Sequence, residues 1–148
     1  EFRRVLFRSM PFIVTETHYE YNDETYNSPD ARHGEEPGVP VAIFDNSTDA
    51  ENERWKREIA KWRNLGSEIT GYVYDIRSGE PWSGSRTYQS DLDAYNDKKR
   101  RYAELAGVDA LSVKFDYGFA VKSGLSDETM REIIELFDGP HFFNVFAL

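Results

Sequence analysis

The sequence predicts an α+β fold: a single mixed, mostly antiparallel sheet of about five strands, with three helices packed mainly on one face. Two observations carry this prediction. Short segments rich in β-branched and aromatic residues alternate at period two, which is typical of strands. Between them lie three longer segments in which apolar residues recur at helical spacing before a glycine.

The first nine residues, EFRRVLFRS, resemble the translated end of a common sequencing adaptor. We therefore expect residues 1–9 to be a non-native leader and residues 10–148 to form a single α+β domain. An adaptor remnant also suggests a metagenomic source, because such remnants survive in assemblies of short environmental reads. The length from Met10 onward suits one domain with its own core.

A leading strand is predicted over residues 11–22, which continue from Phe12 with β-branched and aromatic side chains. Period two divides these side chains between two faces. The face expected in the core holds Ile13, Thr15, Thr17, Tyr19 and Tyr21. The face expected to stay open holds Val14, Glu16, His18 and Glu20. Prolines, glycines and acids then predict a long loop over residues 23–40.

A short buried strand is predicted over residues 41–44, and the first helix follows it. Thr48 and Glu51 fit a capping box at the start of this helix, and Gly66 supplies its stop. The apolar stripe of the helix, at i, i+4 and i+7, consists of Trp55, Ile59 and Trp62.

A hairpin is predicted within residues 68–82, where Tyr72 and Tyr74 alternate with a valine before a turn at residues 77–79. Residues 83–90 are predicted to form either its return strand or a loop. The second helix is expected to start with Ser90 as its cap and to stop at Gly107.

Strict alternation over residues 111–121 predicts a half-buried strand. Its core side chains are expected to be Val113, Phe115, Tyr117, Phe119 and Val121. The third helix is predicted to follow Ser126 and to stop at Gly139. Its buried face is expected to hold Met130, Ile133, Ile134 and Phe137. Residues 141–148 then predict a final strand.

The composition is acidic, with 27 Asp and Glu residues against 18 Lys and Arg residues and a formal net charge of −9. Such a balance argues against general affinity for nucleic-acid phosphates or anionic lipid, so we expect neither a nucleic-acid partner nor a membrane. The chain has no cysteine, which excludes disulfides, thiolate metal ligands and a cysteine nucleophile. No apolar run has the length of a membrane helix, and we expect a cytoplasmic protein.

The acidic, tyrosine-rich edge over residues 16–36 is the candidate binding surface. Tyrosine and tryptophan near strand ends provide rigid contact area with a polar tip, which suits a partner or a ligand. Arg86 follows Gly84, whose backbone can help to form a small anion pocket. The predicted ligand- or partner-binding residues are Glu16, His18, Glu20, Tyr21, Asn22, Asp23, Glu24, Tyr26, Trp82 and Arg86.

The first functional hypothesis is a small, acidic, non-enzymatic binding or inhibitory protein whose edge meets a basic partner protein, with electrostatics speeding association. Small acidic proteins of phages and other mobile elements that block nucleic-acid-binding host proteins have such a composition. No motif favours an enzyme instead, since the sequence has neither a GxSxG elbow nor a phosphate-binding glycine loop.

Two alternatives stay open. A nucleotide-like small molecule fits between the tyrosines and Arg86, which describes a ligand-binding or sequestering protein. The other alternative is a metal-dependent enzyme, because Glu16, His18 and Glu20 share one strand face and supply carboxylate and imidazole ligands. We assign no catalytic residue, no metal ligand and no cofactor from the sequence, and the oligomeric state stays open.

Overall fold

A computed structural model describes residues 10–17, 38–77 and 89–148. Its strands and helices, in chain order, are β1 (Phe12–Glu16), β2 (Val39–Phe44), α1 (Ser47–Leu65), α2 (Gln89–Ala106), α3 (Asp127–Leu136) and β3 (Phe143–Ala147). Short 3₁₀ helices occur at Gly66–Gly71, Tyr74–Ile76 and Ala110–Ser112. The predicted α+β class is confirmed.

The described strands form one antiparallel sheet in the order β2-β1-β3, so the first strand is central. Val14 of β1 lies opposite Ala42 on one side and Val145 on the other. The register with β2 shifts between Val14 and Thr15, as at a β-bulge. The described part of the sheet has three strands, whereas about five were predicted.

The strand predicted over residues 111–121 is wrong. Residues 110–112 form a 3₁₀ helix, and an Asx turn follows in which the Asp116 carboxylate accepts the backbone N–H of Gly118 at 2.9 Å. Phe115 and Phe119 are nevertheless buried, while Tyr117 between them is 73% exposed. The alternation therefore predicted the burial of Phe115 and Phe119 correctly but that of Tyr117 wrongly, because the chain turns at Asp116 and does not pair as a strand.

The strand predicted within residues 68–82 is also wrong where the structure describes it. Gly66–Gly71 and Tyr74–Ile76 form 3₁₀ helices instead. The Thr70 hydroxyl, which has one proton to donate, lies within hydrogen-bonding distance of two carbonyl oxygens, those of Ser67 at 3.1 Å and Tyr117 at 2.9 Å, which fixes the first of these turns. Of the turn predicted at residues 77–79 and the return strand or loop predicted at residues 83–90, residues 78–88 lie outside the described residues. Gln89 and Ser90 are already helical, so Ser90 lies inside α2 and is not the predicted cap.

Helix α1 contacts all three strands and forms the second layer of the fold. Its buried residues include Trp55, Ile59 and Trp62, as the periodicity predicted. The predicted capping box is wrong, because the side chain of Asn46 caps the helix by accepting the N–H of Asp49 at 2.8 Å. The predicted stop is confirmed at Gly66, where the backbone turns to a positive φ of 52°.

Helix α3 packs against α1, and α2 packs against α3. The Ser126 side chain caps α3 by accepting the N–H of Thr129, and the predicted stops at Gly107 and Gly139 are confirmed. At the centre, the Phe115 ring makes edge-to-face contacts at centroid distances of 5.0–5.9 Å. Its partners are Tyr95, Tyr102, Phe119 and Phe137. None of the described helices is long and apolar enough to span a bilayer.

The two faces of β1 are not divided as predicted. Val14, expected on the open face, is fully buried in the core, whereas Ile13, expected in the core, is only partly buried. The reason is that α1 covers the Val14 side, where Lys61 of that helix also reaches Glu16. Thr15 on the other face is buried as expected.

Candidate functional site

The structure describes one of the ten residues predicted to bind a ligand or partner, Glu16 at the end of β1. The others lie outside the described residues: His18, Glu20, Tyr21, Asn22, Asp23, Glu24, Tyr26, Trp82 and Arg86. The Glu16 carboxylate accepts from Lys61 Nζ at 3.3 Å, and about two-fifths of its side chain is exposed (38%). Glu16 therefore belongs to an ion pair between sheet and helix.

A groove between α2 and α3 is a concave surface with an acidic lining. Its volume is about 600 Å³. It is lined by Arg101, Glu104, Leu105, Glu132, Glu135, Leu136 and Asp138. Two leucines thus provide apolar contact area in a groove where four carboxylates stand against a single guanidinium. We call this surface the α2/α3 groove.

The spacing on α3 explains how the acids come to share this surface. Glu132, Glu135 and Asp138 follow one another at intervals of three residues. This spacing keeps the two glutamates on one side of α3 and places Asp138 two residues beyond its end. Ile133 and Ile134 are fully buried on the opposite side, so α3 is oriented by its apolar contacts. The acidic side faces the groove as a consequence.

Nearby arginines neutralise part of this charge. Arg100 contacts Glu104 at 3.2 Å and Asp97 at a shorter distance, and Arg131 lies 3.6 Å from Glu135. The Arg131 guanidinium also stacks over the Trp55 ring at 4.3 Å, which holds it on the α1 side of α3. Exposed pairs of this kind are weak. The groove therefore keeps negative charge available for a cationic partner.

Asp75 and Asp138 form an acidic pair at one end of the groove. Burial, the negative charge of Asp138 and a hydrogen bond between the two side chains raise the pKa of Asp75, and His141 and Lys98 oppose this in part. Asp138 has a left-handed backbone with φ 68°, two residues after the end of α3. The negative charge of Asp138 therefore disfavours the ionised form of Asp75.

Glu58 differs from Asp75, because hydrogen-bond donors surround its carboxylate. It is fully buried in α1, and its carboxylate accepts the backbone N–H groups of His141 at 2.7 Å, Phe142 at 3.0 Å and Phe143 at 2.9 Å. The indole N–H of Trp62 donates to the same carboxylate at 3.0 Å. Burial raises the pKa of Glu58, and these donors oppose the rise. Glu58 thereby attaches the start of β3 to α1.

His141 lies between these two acidic sites. Its backbone N–H binds Glu58, while its ring Nε2 lies 2.7 Å from the carbonyl oxygen of Phe137 and 3.9 Å from Asp75. A carbonyl oxygen only accepts, so Nε2 carries the proton and donates it. With the ring buried and its Nε2 bonded to the backbone, His141 contributes to the packing of the fold.

The predicted metal-dependent alternative depends on His18 and Glu20, which lie outside the described residues together with His33. Among residues 10–17, 38–77 and 89–148, no group of three or more histidines and acids is placed to hold a metal ion.

Sequence reasoning missed the α2/α3 groove and the burial of Glu58. The three-residue spacing of acids on α3 was a readable signal for the groove, although only the packing of α2 beside α3 makes it concave. For Glu58 the signal was its position three residues after Trp55 and four before Trp62, within the apolar stripe of the helix. A carboxylate there must be buried with donors.

Comparisons of the chain with protein-family models, with curated proteins and with solved structures give no match. The function is therefore inferred from the geometry of the described residues.

Proposed function

We propose that this is a small acidic, non-enzymatic protein that binds a basic partner protein and so inhibits or sequesters it. The observation that carries the proposal is the α2/α3 groove, where four carboxylates surround apolar contact area. The predicted edge over residues 16–36 belongs to the same proposal as a second acidic surface. Inhibitors of nucleic-acid-binding proteins encoded by mobile elements are the functional class that this composition resembles.

The chemistry of the groove suits a helix with cationic and apolar side chains. A partner's leucine-like residues would contact Leu105 and Leu136, while its lysines or arginines would lie beside Glu132 and Glu135. Opposite charges at the rim raise the association rate and select against acidic competitors. A nucleic acid is the wrong partner for such a surface, because its phosphates would meet carboxylates.

The cytoplasm is the compartment that we propose for this activity. The absence of cysteine supports this location only by compatibility, since a protein without disulfides loses nothing in a reducing environment.

The test is binding of a fluorescent amphipathic peptide with lysines on one helical face and leucines on the other, followed by anisotropy at several salt concentrations. We expect binding that weakens as salt rises. The double variant Glu132→Lys/Glu135→Lys should bind at least about tenfold more weakly, because it places like charges against the peptide. Equal affinity for the double variant and the wild type would refute the groove as the binding surface.

A matched control separates the groove from net charge. Asp45→Lys/Glu68→Lys makes the same change in charge at exposed positions outside the groove lining, and we expect it to keep most of the affinity. A third variant, Glu20→Lys/Asp23→Lys/Glu24→Lys, tests the predicted edge. If only this third variant loses binding, the edge is the interface and the groove is not.

A further inference from the structure

A second concave site lies on the other side of α1, where β1 ends. Its volume is about 330 Å³, within the range of small-molecule sites. It is lined by Glu16, Thr17, Val39, Lys61, Leu65, Tyr72 and Phe142. None of these residues lines the α2/α3 groove, so the two sites are separate. We call this second site the β1-end pocket.

The floor of the β1-end pocket is aromatic. Phe142 is almost fully buried, and the Tyr72 ring meets it edge to face at a centroid distance of 6.1 Å. Leu65 and Val39 add aliphatic surface, and Val39 is 57% exposed at the mouth. An apolar group of a ligand would lose contact with water on this floor.

One positive and one negative side chain stand at the same pocket. Lys61 Nζ lies 3.3 Å from the Glu16 carboxylate and 5.6 Å from the centroid of the Phe142 ring. Both side chains are more than a third exposed, so their attraction is weak and a ligand can open the pair at little cost. Together they offer an anion-binding and a cation-binding group a few ångströms apart.

The backbone around the pocket is held rigidly. The N–H of Thr17 donates to the carbonyl oxygen of Phe142 at 2.6 Å, and Glu58 holds Phe142 from the other side. Gly38 packs directly on β1, where an added Cβ would come within 2.4 Å of the Glu16 carbonyl oxygen. The charged pair therefore projects from a fixed frame, which lowers the entropy lost when a ligand binds.

The geometry points to a binding site for a small zwitterion with an apolar side chain, that is, a free α-amino acid or a molecule of the same charge pattern. Its carboxylate pairs with Lys61, its ammonium pairs with Glu16, and its side chain lies on Phe142 and Tyr72. A ligand with a single charge satisfies one member of the pair and leaves the other unpaired in a partly buried site.

The experiment is calorimetric titration with three probes that share a phenyl ring: L-phenylalanine, phenethylamine without the carboxylate, and 3-phenylpropanoate without the ammonium. We expect L-phenylalanine to bind at least about tenfold more tightly than either analogue, as the loss of a charged hydrogen bond requires. No heat and no NMR shift with L-phenylalanine at about 10 mM would overturn the proposal.

Variants assign each charge. Lys61→Met should bind L-phenylalanine only as tightly as the wild type binds phenethylamine. Glu16→Gln should bind L-phenylalanine only as tightly as the wild type binds 3-phenylpropanoate. Lys56→Met, an exposed change on the same helix, is the matched control and should bind as the wild type does. Val39→Trp fills the mouth from an exposed position and should abolish binding while the protein stays folded. Unchanged binding in Lys61→Met and Val39→Trp would also overturn the proposal.

The outcome is independent of the groove. Glu132→Lys/Glu135→Lys should leave the affinity for L-phenylalanine unchanged, because neither residue lines the β1-end pocket.

Discussion

Glu58 and Asp75 are both acids near His141, but the groups that surround their carboxylates differ. Around Glu58, three backbone N–H groups and an indole N–H converge on one carboxylate. Asp75 instead faces a second acid, Asp138, at the end of the α2/α3 groove. Burial raises the pKa of both, but the opposing donors are far more numerous at Glu58.

The comparison distinguishes an acid that stabilises the fold, Glu58, from an acid that repels a neighbouring negative charge, Asp75. A buried carboxylate surrounded by donors has no capacity left for a ligand, and its removal leaves those donors without a partner. An acid that faces another acid gains from the arrival of a cation. The first arrangement holds β3 on α1, and the second supports our proposal that the groove binds a basic partner.

The largest expected effect follows from removing the Glu58 carboxylate. Glu58→Ala leaves buried N–H groups of residues 141–143 unsatisfied, and we expect the free energy of unfolding to fall by about 3–5 kcal/mol. Urea denaturation measures this change. Glu53→Ala, five residues earlier in a partly buried ion pair with Arg57, should cost no more than about 1 kcal/mol. Similar losses in the two variants would mean that Glu58 is no more important than a surface acid.

A smaller effect is expected when one donor is removed and the acid is kept. Trp62→Phe keeps an aromatic ring beside Phe137 but removes the N–H that donates to Glu58. We expect a loss of about 1–3 kcal/mol in the free energy of unfolding, from one charged hydrogen bond. If Glu58→Ala/Trp62→Phe loses as much as the sum of the two single variants, the residues do not act as a unit.

The smallest effect, and one of opposite sign, is expected at Asp75. Its folded-state pKa lies above the ordinary value of 3.8, so ionisation costs the folded state more than the unfolded state. Asp75→Asn removes that cost and should be more stable than the wild type at pH 7, by no more than about 1 kcal/mol.

The pH dependence identifies the cause. Well below pH 3.8 Asp75 is protonated in both states, so the difference in stability between variant and wild type should vanish there. It should grow as pH rises from 3.8 to the higher folded-state pKa and level off above that pKa. Denaturation at pH 3.5, 5 and 7 measures it. A variant less stable than the wild type at pH 7 would show that His141 and Lys98 stabilise the Asp75 anion more than Asp138 destabilises it.

Much of the fold was predictable because its elements are locally encoded. The Trp55-to-Trp62 stripe, the Ser126 cap and the glycine stops act within a few residues, and the structure confirms them. The alternation of apolar and polar residues gave a wrong prediction, a strand over residues 111–121, where aromatic side chains pack around the Phe115 ring. Phe115 and Phe119 reach the core from a bent chain, and the Asp116 turn between them is a local competitor to strand pairing.

The candidate sites were less predictable because they depend on contacts between distant segments. Acid counts favoured residues 16–36, but whether an acid is paired, buried or available depends on what packs beside it. Glu16 forms an ion pair with Lys61, 45 residues away, and the Glu58 carboxylate accepts hydrogen bonds from residues more than 80 positions downstream. The predicted assignment of β1 side chains to a core face and an open face was wrong for the same reason, since the position of α1 decides which face is covered.

The central place of β1 also sets the order in which the sheet can be completed. Its partner β3 comes so late that the hydrogen bond from Asn144 to Thr17 spans 127 residues. Ribosomes add about 5–20 residues per second, so a nascent β1 waits on the order of 10 s for this neighbour. Throughout that interval the β3-facing edge of β1 offers unpaired backbone groups to other nascent chains. Synthesis, more than the finished fold, is then the period of greatest risk of aggregation for this protein.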